Sequence, residues 1–161
     1  MDTVIKKVLN EIDALARGEE YAEALRRVDE LAKYCPSEPW IWRTRAYINS
    51  RQGNIEGAIL DLSQAIAKRE SEPDFFYTRG ILFFEGGNYP EAVADFTRVI
   101  ELCDYHKSDY YREGAYFFRA DAHVRLQEFE KAKGDCQHVP DGTRIWTDSL
   151  RTKAEILAEC H

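Results

Sequence analysis

Two stretches of the sequence, RAYINSRQGNIEGAILDLSQAI at residues 45–66 and RGILFFEGGNYPEAVADFTRVI at residues 79–100, match each other at a fixed offset of 34 residues. The offset places Ala58 on Ala92 and aligns a Gly-Asn pair near the centre of each stretch. Gly-Asn is a turn signal, and the apolar residues on either side of it recur at helical spacing. The sequence therefore predicts repeated helix–turn–helix units.

The same spacing extends over nearly the whole chain. One period before Ala58 lies Ala24, whereas the next equivalent of Ala92 is Ala132, which is 40 residues further on and implies a six-residue insertion. After the last unit, beyond a Pro-Asp-Gly turn, apolar residues again recur at helical spacing and predict a final helix. The predicted repeats span residues 5–38, 39–72, 73–106 and 113–146, with the insertion at about 103–112 and the final helix at about 143–160.

A period of 34 residues with small and aromatic residues at fixed places resembles the tetratricopeptide repeat, or TPR. The alanine of family position twenty is present in all four units, and the large residue of position four is Trp42 in the second unit and Phe76 in the third. The resemblance implies an all-α fold, a right-handed superhelical stack of antiparallel helix pairs (a TPR solenoid). It also implies that the final helix caps the last repeat.

A pair of opposite charges, sixteen residues apart, recurs in every unit. In the first unit Glu11 and Arg27 hold the two places with their signs exchanged, so links between neighbouring repeats would set like charges against each other. We therefore expect a salt bridge within each hairpin. The other three pairs are Arg45 with Asp61, Arg79 with Asp95, and Arg119 with Asp135.

The composition narrows the class of partner. The formal net charge of -7 argues against nucleic acid, which rewards clustered Lys and Arg, and favours a basic protein partner. There is no apolar run of the roughly 20 residues that a membrane helix needs, and the N-terminus lacks a secretory signal, so we expect a cytoplasmic protein. The spacing of the four cysteines suggests neither a disulfide framework nor a zinc site, so we expect no metal and no cofactor.

The resemblance implies that the first helices of the hairpins line a concave groove, to which five repeat positions contribute. Large aromatic side chains at these positions would be costly to leave in water, so we expect the groove to bind something apolar. Arginines among them could pair with carboxylates of a partner. The alternative is that some of the aromatics pack against each other or against the capping helix. The candidate partner-binding residues are Trp40, Arg43, Tyr47, Arg51, Tyr77, Phe84, Phe117 and Arg125.

No phosphate-binding loop, nucleophile elbow or zinc-protease motif occurs, and the chain is predicted not to be an enzyme. His123 falls at a packing position and is interpreted as a satisfied interior or edge histidine. The leading interpretation is a protein-interaction scaffold that binds a peptide or helix of a partner. The alternative is a dedicated chaperone or immunity-type inhibitor of one basic client. Self-association stays open, as does the form of the insertion, which either extends the flanking helices or makes a protruding loop with three tyrosines.

Overall fold

The structure, a computed structural model, describes residues 2–146 and 150–160. Its long helices pair into four hairpins, and the predicted fold of antiparallel helix pairs is confirmed. The chain divides into two compact units, Met1–Ser71 and Glu72–His161, each with two hairpins. The hairpin helices are α1 Thr3–Arg17 and α2 Tyr21–Tyr34, α3 Pro39–Arg51 and α4 Ile55–Lys68, α5 Pro73–Glu85 and α6 Tyr89–His106, and α7 Arg112–Arg125 and α8 Phe129–Cys136.

The turn inside each hairpin contains one residue with left-handed backbone, at the same place in every repeat. In the second and third repeats this residue is Gly53 (φ 79°) or Gly87 (φ 76°), which adopts the conformation without steric cost. In the first and fourth repeats it is Glu19 (φ 63°) or Gln127 (φ 60°), so the turn persists without glycine. The repeat period is therefore conserved in the backbone even where the sequence departs from it.

The predicted salt bridges form within three of the four hairpins. Arg79 donates from Nε and Nη2 to the two oxygens of Asp95 at 2.8 and 2.7 Å. Arg45 with Asp61 and Arg119 with Asp135 likewise form two hydrogen bonds, from Nε to one carboxylate oxygen and from Nη2 to the other. The first hairpin differs, because Arg27 pairs with Glu23 at 2.8 Å on its own helix. The prediction for Glu11 and Arg27 is wrong, since a partner one helical turn away needs no long-range geometry.

Two of these arginines also reach the preceding hairpin of their own unit. Arg45 Nη1 lies 3.0 Å from Asp29 Oδ1, and Arg119 Nη1 donates to Thr97 Oγ1 at 2.9 Å. Asp29 and Thr97 occupy the same repeat position. Each of these two guanidiniums therefore joins three helices, an arrangement that pair spacing alone did not predict.

The end of the chain corrects the predicted helix over 143–160. Residues 147–149 lie outside the described ranges. The helix after them, α9, is short because it begins only after Thr152. The Thr152 hydroxyl accepts a hydrogen bond from Glu155 N, and the Thr152 backbone N donates to the Glu155 carboxylate. The residues before it favour strand, since a Pro-Asp-Gly turn leads into Ile145 and Trp146. The segment comprises β1 Arg144–Trp146, paired antiparallel with β2 Leu150–Thr152, and α9 Lys153–Ala158.

The insertion resolves into a longer helix and a short loop. Helix α6 has 18 residues, against 14 in α4. It ends where Lys107 adopts a left-handed conformation (φ 53°) and Ser108 N donates to Cys103 O at 3.0 Å. Residues 107–111 then lead into α7. The side chains of Tyr105 and Tyr110 are 79% and 83% exposed.

Candidate functional site

The helices α1 and α3 of the first unit enclose a surface cleft of about 300 Å³ between them. Both are first helices of their hairpins, so the cleft lies at the repeat positions predicted to bind a partner. Its wall combines apolar side chains with groups of both charges. We call it the α1–α3 cleft; the residues that line it are Lys6, Leu9, Asn10, Asp13, Trp40, Arg43 and Thr44.

Four of the candidate binding residues lie on α3, and all four keep some exposure. Trp40 and Arg43 line the α1–α3 cleft, and the half-buried Trp40 ring also packs against the core of the first unit. Tyr47 packs on the same core further along the helix. Arg51, near the end of α3, is exposed, and a hydrogen bond with the Tyr21 hydroxyl raises its pKa. The structure thus joins two of the four in one concavity and continues the same helix with the other two.

The cleft contains a carboxylate that sequence reasoning did not select. Asp13 Oδ1 is buried, and within the described residues no donor bonds to it. Burial raises the pKa of Asp13 above its usual 3.8, although Arg43 and Arg17 act in the opposite direction. A lone aspartate on a helix carries no functional signal in a sequence, and it is the loss of solvent around this oxygen that marks it.

In the second unit Tyr77 is half-buried and mainly a packing residue. Its ring lies 5.1 Å from that of Tyr111 and 6.0 Å from that of Phe96, and burial raises its pKa to about 12. A Cβ atom on Gly114 would clash with the Tyr77 hydroxyl, so the absence of a side chain there makes room for the tyrosine. The first residues of α7 therefore close over one edge of this ring.

Phe84 and Phe117 are 5% and 0% exposed. Phe84 packs edge-on against Tyr89 and Phe118, with ring centroids at 5.5 and 5.6 Å. Phe117 lies in a cluster that includes Ile156 of α9. The expectation that these two rings face a partner is wrong, because neighbouring aromatics and the C-terminal segment already bury them. The packing alternative holds for both.

In the fourth repeat, the residues at the remaining predicted groove positions contact the C-terminal segment. Arg125 is exposed and lies 3.4 Å from Asp121, whose side chain is fully buried. Arg151 Nε approaches the other Asp121 oxygen to 3.3 Å, as an ion pair without hydrogen-bond alignment, and Arg151 Nη2 bonds to Glu159 at 2.9 Å. Burial raises the pKa of Asp121, and Arg151 and Arg125 oppose the shift. The chain's own end therefore covers this face.

Outside these groove positions, the ranges that the structure describes contain a buried histidine contact, but no metal-binding cluster and no helix that could span a membrane. His123 is buried as predicted, and its Nδ1 lies 2.6 Å from Glu128 Oε2. Over residues 2–146 and 150–160, no three His, Cys, Asp or Glu side chains come together to hold a metal ion. Among the helices of that same part of the chain, none has the length and apolar character to cross a membrane.

Comparisons with known proteins agree with this architecture. Residues 43–107 match the family model described as tetratricopeptide repeat. No curated protein matches the chain. Among solved structures, MamA from Desulfovibrio magneticus RS-1 is 18% identical with a TM-score of 0.72, covering 86% of this chain and 75% of MamA. PilW, a type IV pilus biogenesis factor, is 16% identical with a TM-score of 0.72, covering 85% and 61%. The TPR domain of P58(IPK) is 18% identical with a TM-score of 0.56, covering 84% and 50%. At these identities the likeness concerns the fold.

Proposed function

Because residues 43–107 match the tetratricopeptide-repeat model and the fold is a series of antiparallel helix pairs, we propose that the chain is a non-catalytic interaction scaffold that binds a peptide or helix of a partner protein in the α1–α3 cleft. The observation that carries the proposal is the cleft itself, an open concavity between two first helices that is lined by Asp13, a half-buried aspartate with one unbonded carboxylate oxygen. Buried polar atoms are nearly always bonded in folded proteins, so a carboxylate with an unbonded oxygen in the lining of a cleft favours a partner that supplies a donor.

The size and lining of the cleft favour one inserted side chain. A volume of about 300 Å³ lies at the lower end of the range for small-molecule sites. Leu9 and Trp40 offer apolar surface to such a side chain, while Asn10 and Thr44 offer polar groups at its rim. Tryptophan and arginine are the residues most often found to dominate interface energies, and here Trp40 and Arg43 stand together.

The rest of the partner segment would run along α3. Tyr47 and Arg51 follow the cleft residues on that helix and keep exposed surface, so they extend the contact beyond the inserted side chain. In the second unit, Tyr77 and Arg125 stay candidates for further contact because each keeps part of its surface exposed. Phe84 and Phe117 are no part of the proposal. The net charge of -7 supports a protein partner over nucleic acid.

The test compares two tryptophans on one helix. Partner proteins are captured from a lysate of the native host, identified by mass spectrometry, purified, and titrated against the full chain by calorimetry. Trp40→Ala should weaken binding by about 30-fold, since truncation of such an anchor costs about 2 kcal/mol. The matched control is Trp42→Ala. That ring lies under Arg45 and Lys68 and donates to Pro36 O, so it is outside the cleft.

Trp42→Ala should lower the melting temperature and leave the dissociation constant of the folded protein within about twofold, because it removes packing and no proposed contact. A partner whose affinity is the same for wild type and for Trp40→Ala would show that the α1–α3 cleft is not the binding site.

A further inference from the structure

Two aspartates occupy the same repeat position in the first and fourth repeats but differ in what covers them. Asp13 and Asp121 are each the ninth residue of their repeats, and each has an arginine four residues later, Arg17 or Arg125. Burial raises the pKa of both carboxyl groups. The local environments are therefore alike in helix, register and neighbouring charge.

The difference lies in the second oxygen of each carboxylate. At Asp121 this oxygen accepts no hydrogen bond, but it forms an ion pair with the guanidinium of Arg151, which comes from β2 and lies 3.3 Å away. At Asp13, Oδ1 likewise has no donor among the described residues, and the residue lines the α1–α3 cleft. The chain's own Arg151 thus shows which chemical group this repeat position accepts when something covers it.

We propose that the α1–α3 cleft is an arginine-binding site, in which a guanidinium of the partner protein pairs with Asp13 as Arg151 pairs with Asp121. The inference rests on the proposed function and specifies the partner's anchor. A guanidinium is planar and weakly hydrated, so its faces can lie against Trp40 and Leu9 while its edge pairs with the Asp13 carboxylate. A lysine ammonium is compact and strongly hydrated, and it fits such walls less well.

The cations that line the cleft do not exclude this occupant. Lys6 and Arg43 border the same space. The fourth repeat, however, already holds two guanidiniums on one carboxylate, those of Arg125 and Arg151. There Arg151 gains a second acceptor in Glu159. A partner segment with a carboxylate beside its arginine would reproduce that arrangement. The partner's carboxylate could also pair with Arg43 or Lys6.

The probe is the tripeptide acetyl-Leu-Arg-Thr-amide, which has the sequence of residues 150–152. It is titrated into the isotope-labelled full chain, and binding is followed from backbone amide resonances of α1 and α3. The same peptide with citrulline in place of arginine keeps the shape and removes the charge. We expect the arginine peptide to shift the resonances around Asp13 and Trp40, and to bind at least about fivefold more tightly than the citrulline peptide.

Asp13→Asn should reduce the affinity of the arginine peptide to that of the citrulline peptide. The matched control is Glu11→Gln, which removes one exposed negative charge from the same helix and should change the affinity less than about twofold. Trp40→Ala should weaken the binding of both peptides by the same factor, because it removes apolar surface from the cleft and leaves the Asp13 carboxylate in place.

Three results would overturn the proposal: equal binding of the two peptides, equal losses in Asp13→Asn and Glu11→Gln, or no shift of cleft resonances at about 10 mM peptide. Stronger binding of acetyl-Leu-Glu-Thr-amide would also overturn it and assign the cleft to a carboxylate held by Lys6 and Arg43. The proposed function fails separately, through the Trp40→Ala titration against the captured partner.

Discussion

The inner positions of the two units have the same register but different surroundings. In the first unit they border an open cleft, and Trp40 and Tyr47 keep part of their surface exposed. In the second unit Tyr111, from the insertion, packs on Tyr77, and Ile156, from the C-terminal segment, packs with Phe117. Both segments that depart from the repeat thus contribute to covering the second face. Exposure at a repeat position is decided by what the rest of the chain adds to it.

The largest expected effect is on the covered face of the second unit. Phe117→Ala should lower the free energy of unfolding by about 3–5 kcal/mol, because it leaves a cavity under α9. Tyr47→Ala, at an inner position of the first unit, removes a half-exposed ring and should cost about 1–2 kcal/mol. Urea unfolding of both variants measures the difference. Equal losses would break the comparison, since they would mean that the two faces are covered alike.

The charge pairs allow a second comparison between the units. Arg79→Asp or Asp95→Arg alone should cost about 3 kcal/mol, because each leaves like charges facing each other in a buried place. The double exchange should recover more than half of the summed loss, as measured by a double-mutant cycle in urea.

The same exchange at Arg45 and Asp61 should recover less. A carboxylate at position 45 would face Asp29, which now lies 3.0 Å from the Arg45 guanidinium. Like charges at that distance repel, and the exchange does not remove Asp29. Equal recovery in the two units would show that the link to the preceding hairpin contributes nothing.

A smaller effect tests how closely α7 approaches Tyr77. Gly114→Ala should cost about 1–3 kcal/mol, because the new methyl group would meet the Tyr77 hydroxyl and the ring is held by Phe96, Phe118 and Tyr111. The matched control is Gly134→Ala in α8, where nothing lies within 4 Å. That change should stabilise the protein by about 0.5–1 kcal/mol through helix propensity. A neutral Gly114→Ala would mean that Tyr77 moves aside easily and that its face is more open than the structure indicates.

The sequence predicted the hairpins because their signals are periodic and repeated. Turns at equal spacing, alanines at one position and a recurring Arg–Asp pair each specify local geometry several times over. The predictions that were wrong concern features that depend on a single residue or a very short segment and are not repeated along the chain. Glu11 did not pair with Arg27 because Glu23 is nearer, and three-residue strands are too short to show the alternation that distinguishes strand from helix.

The candidate site was predictable only in part. Helical register identifies the face that Phe84, Phe117 and Trp40 share, but it does not tell which of them a neighbouring segment buries. That depends on contacts of α7, α8 and α9, which are distant in sequence from the face they complete. The unbonded oxygen of Asp13 is likewise a property of the packed structure, since an aspartate at this position in the fourth repeat lies within ion-pair distance of both Arg125 and Arg151.

The smallest expected effect concerns Asp13 itself and depends on pH. Its carboxyl pKa is raised in the folded state, so the folded protein holds this proton more tightly than the unfolded chain does. The wild type therefore loses stability as the pH rises from 3.8, the ordinary pKa of an aspartate, through the raised pKa of Asp13 in the folded protein. Asp13→Asn does not titrate and should gain on the wild type across that window, by no more than about 1 kcal/mol because the side chain is only half-buried.

Glu23 provides a control of opposite sign for this titration. Hydrogen bonds from Arg26 and Arg27 lower its pKa from 4.5 to about 2, so its ionised form stabilises the fold above pH 4.5 and that contribution is lost as the pH falls toward 2. Relative to wild type, the stability of Glu23→Gln should thus be lowest near neutral pH, whereas the stability of Asp13→Asn relative to wild type should be highest there. Urea midpoints between pH 3 and pH 7 measure both curves. If Asp13→Asn is instead destabilised near neutral pH, a donor already bonds to Asp13, and the first inner face is as closed as the second.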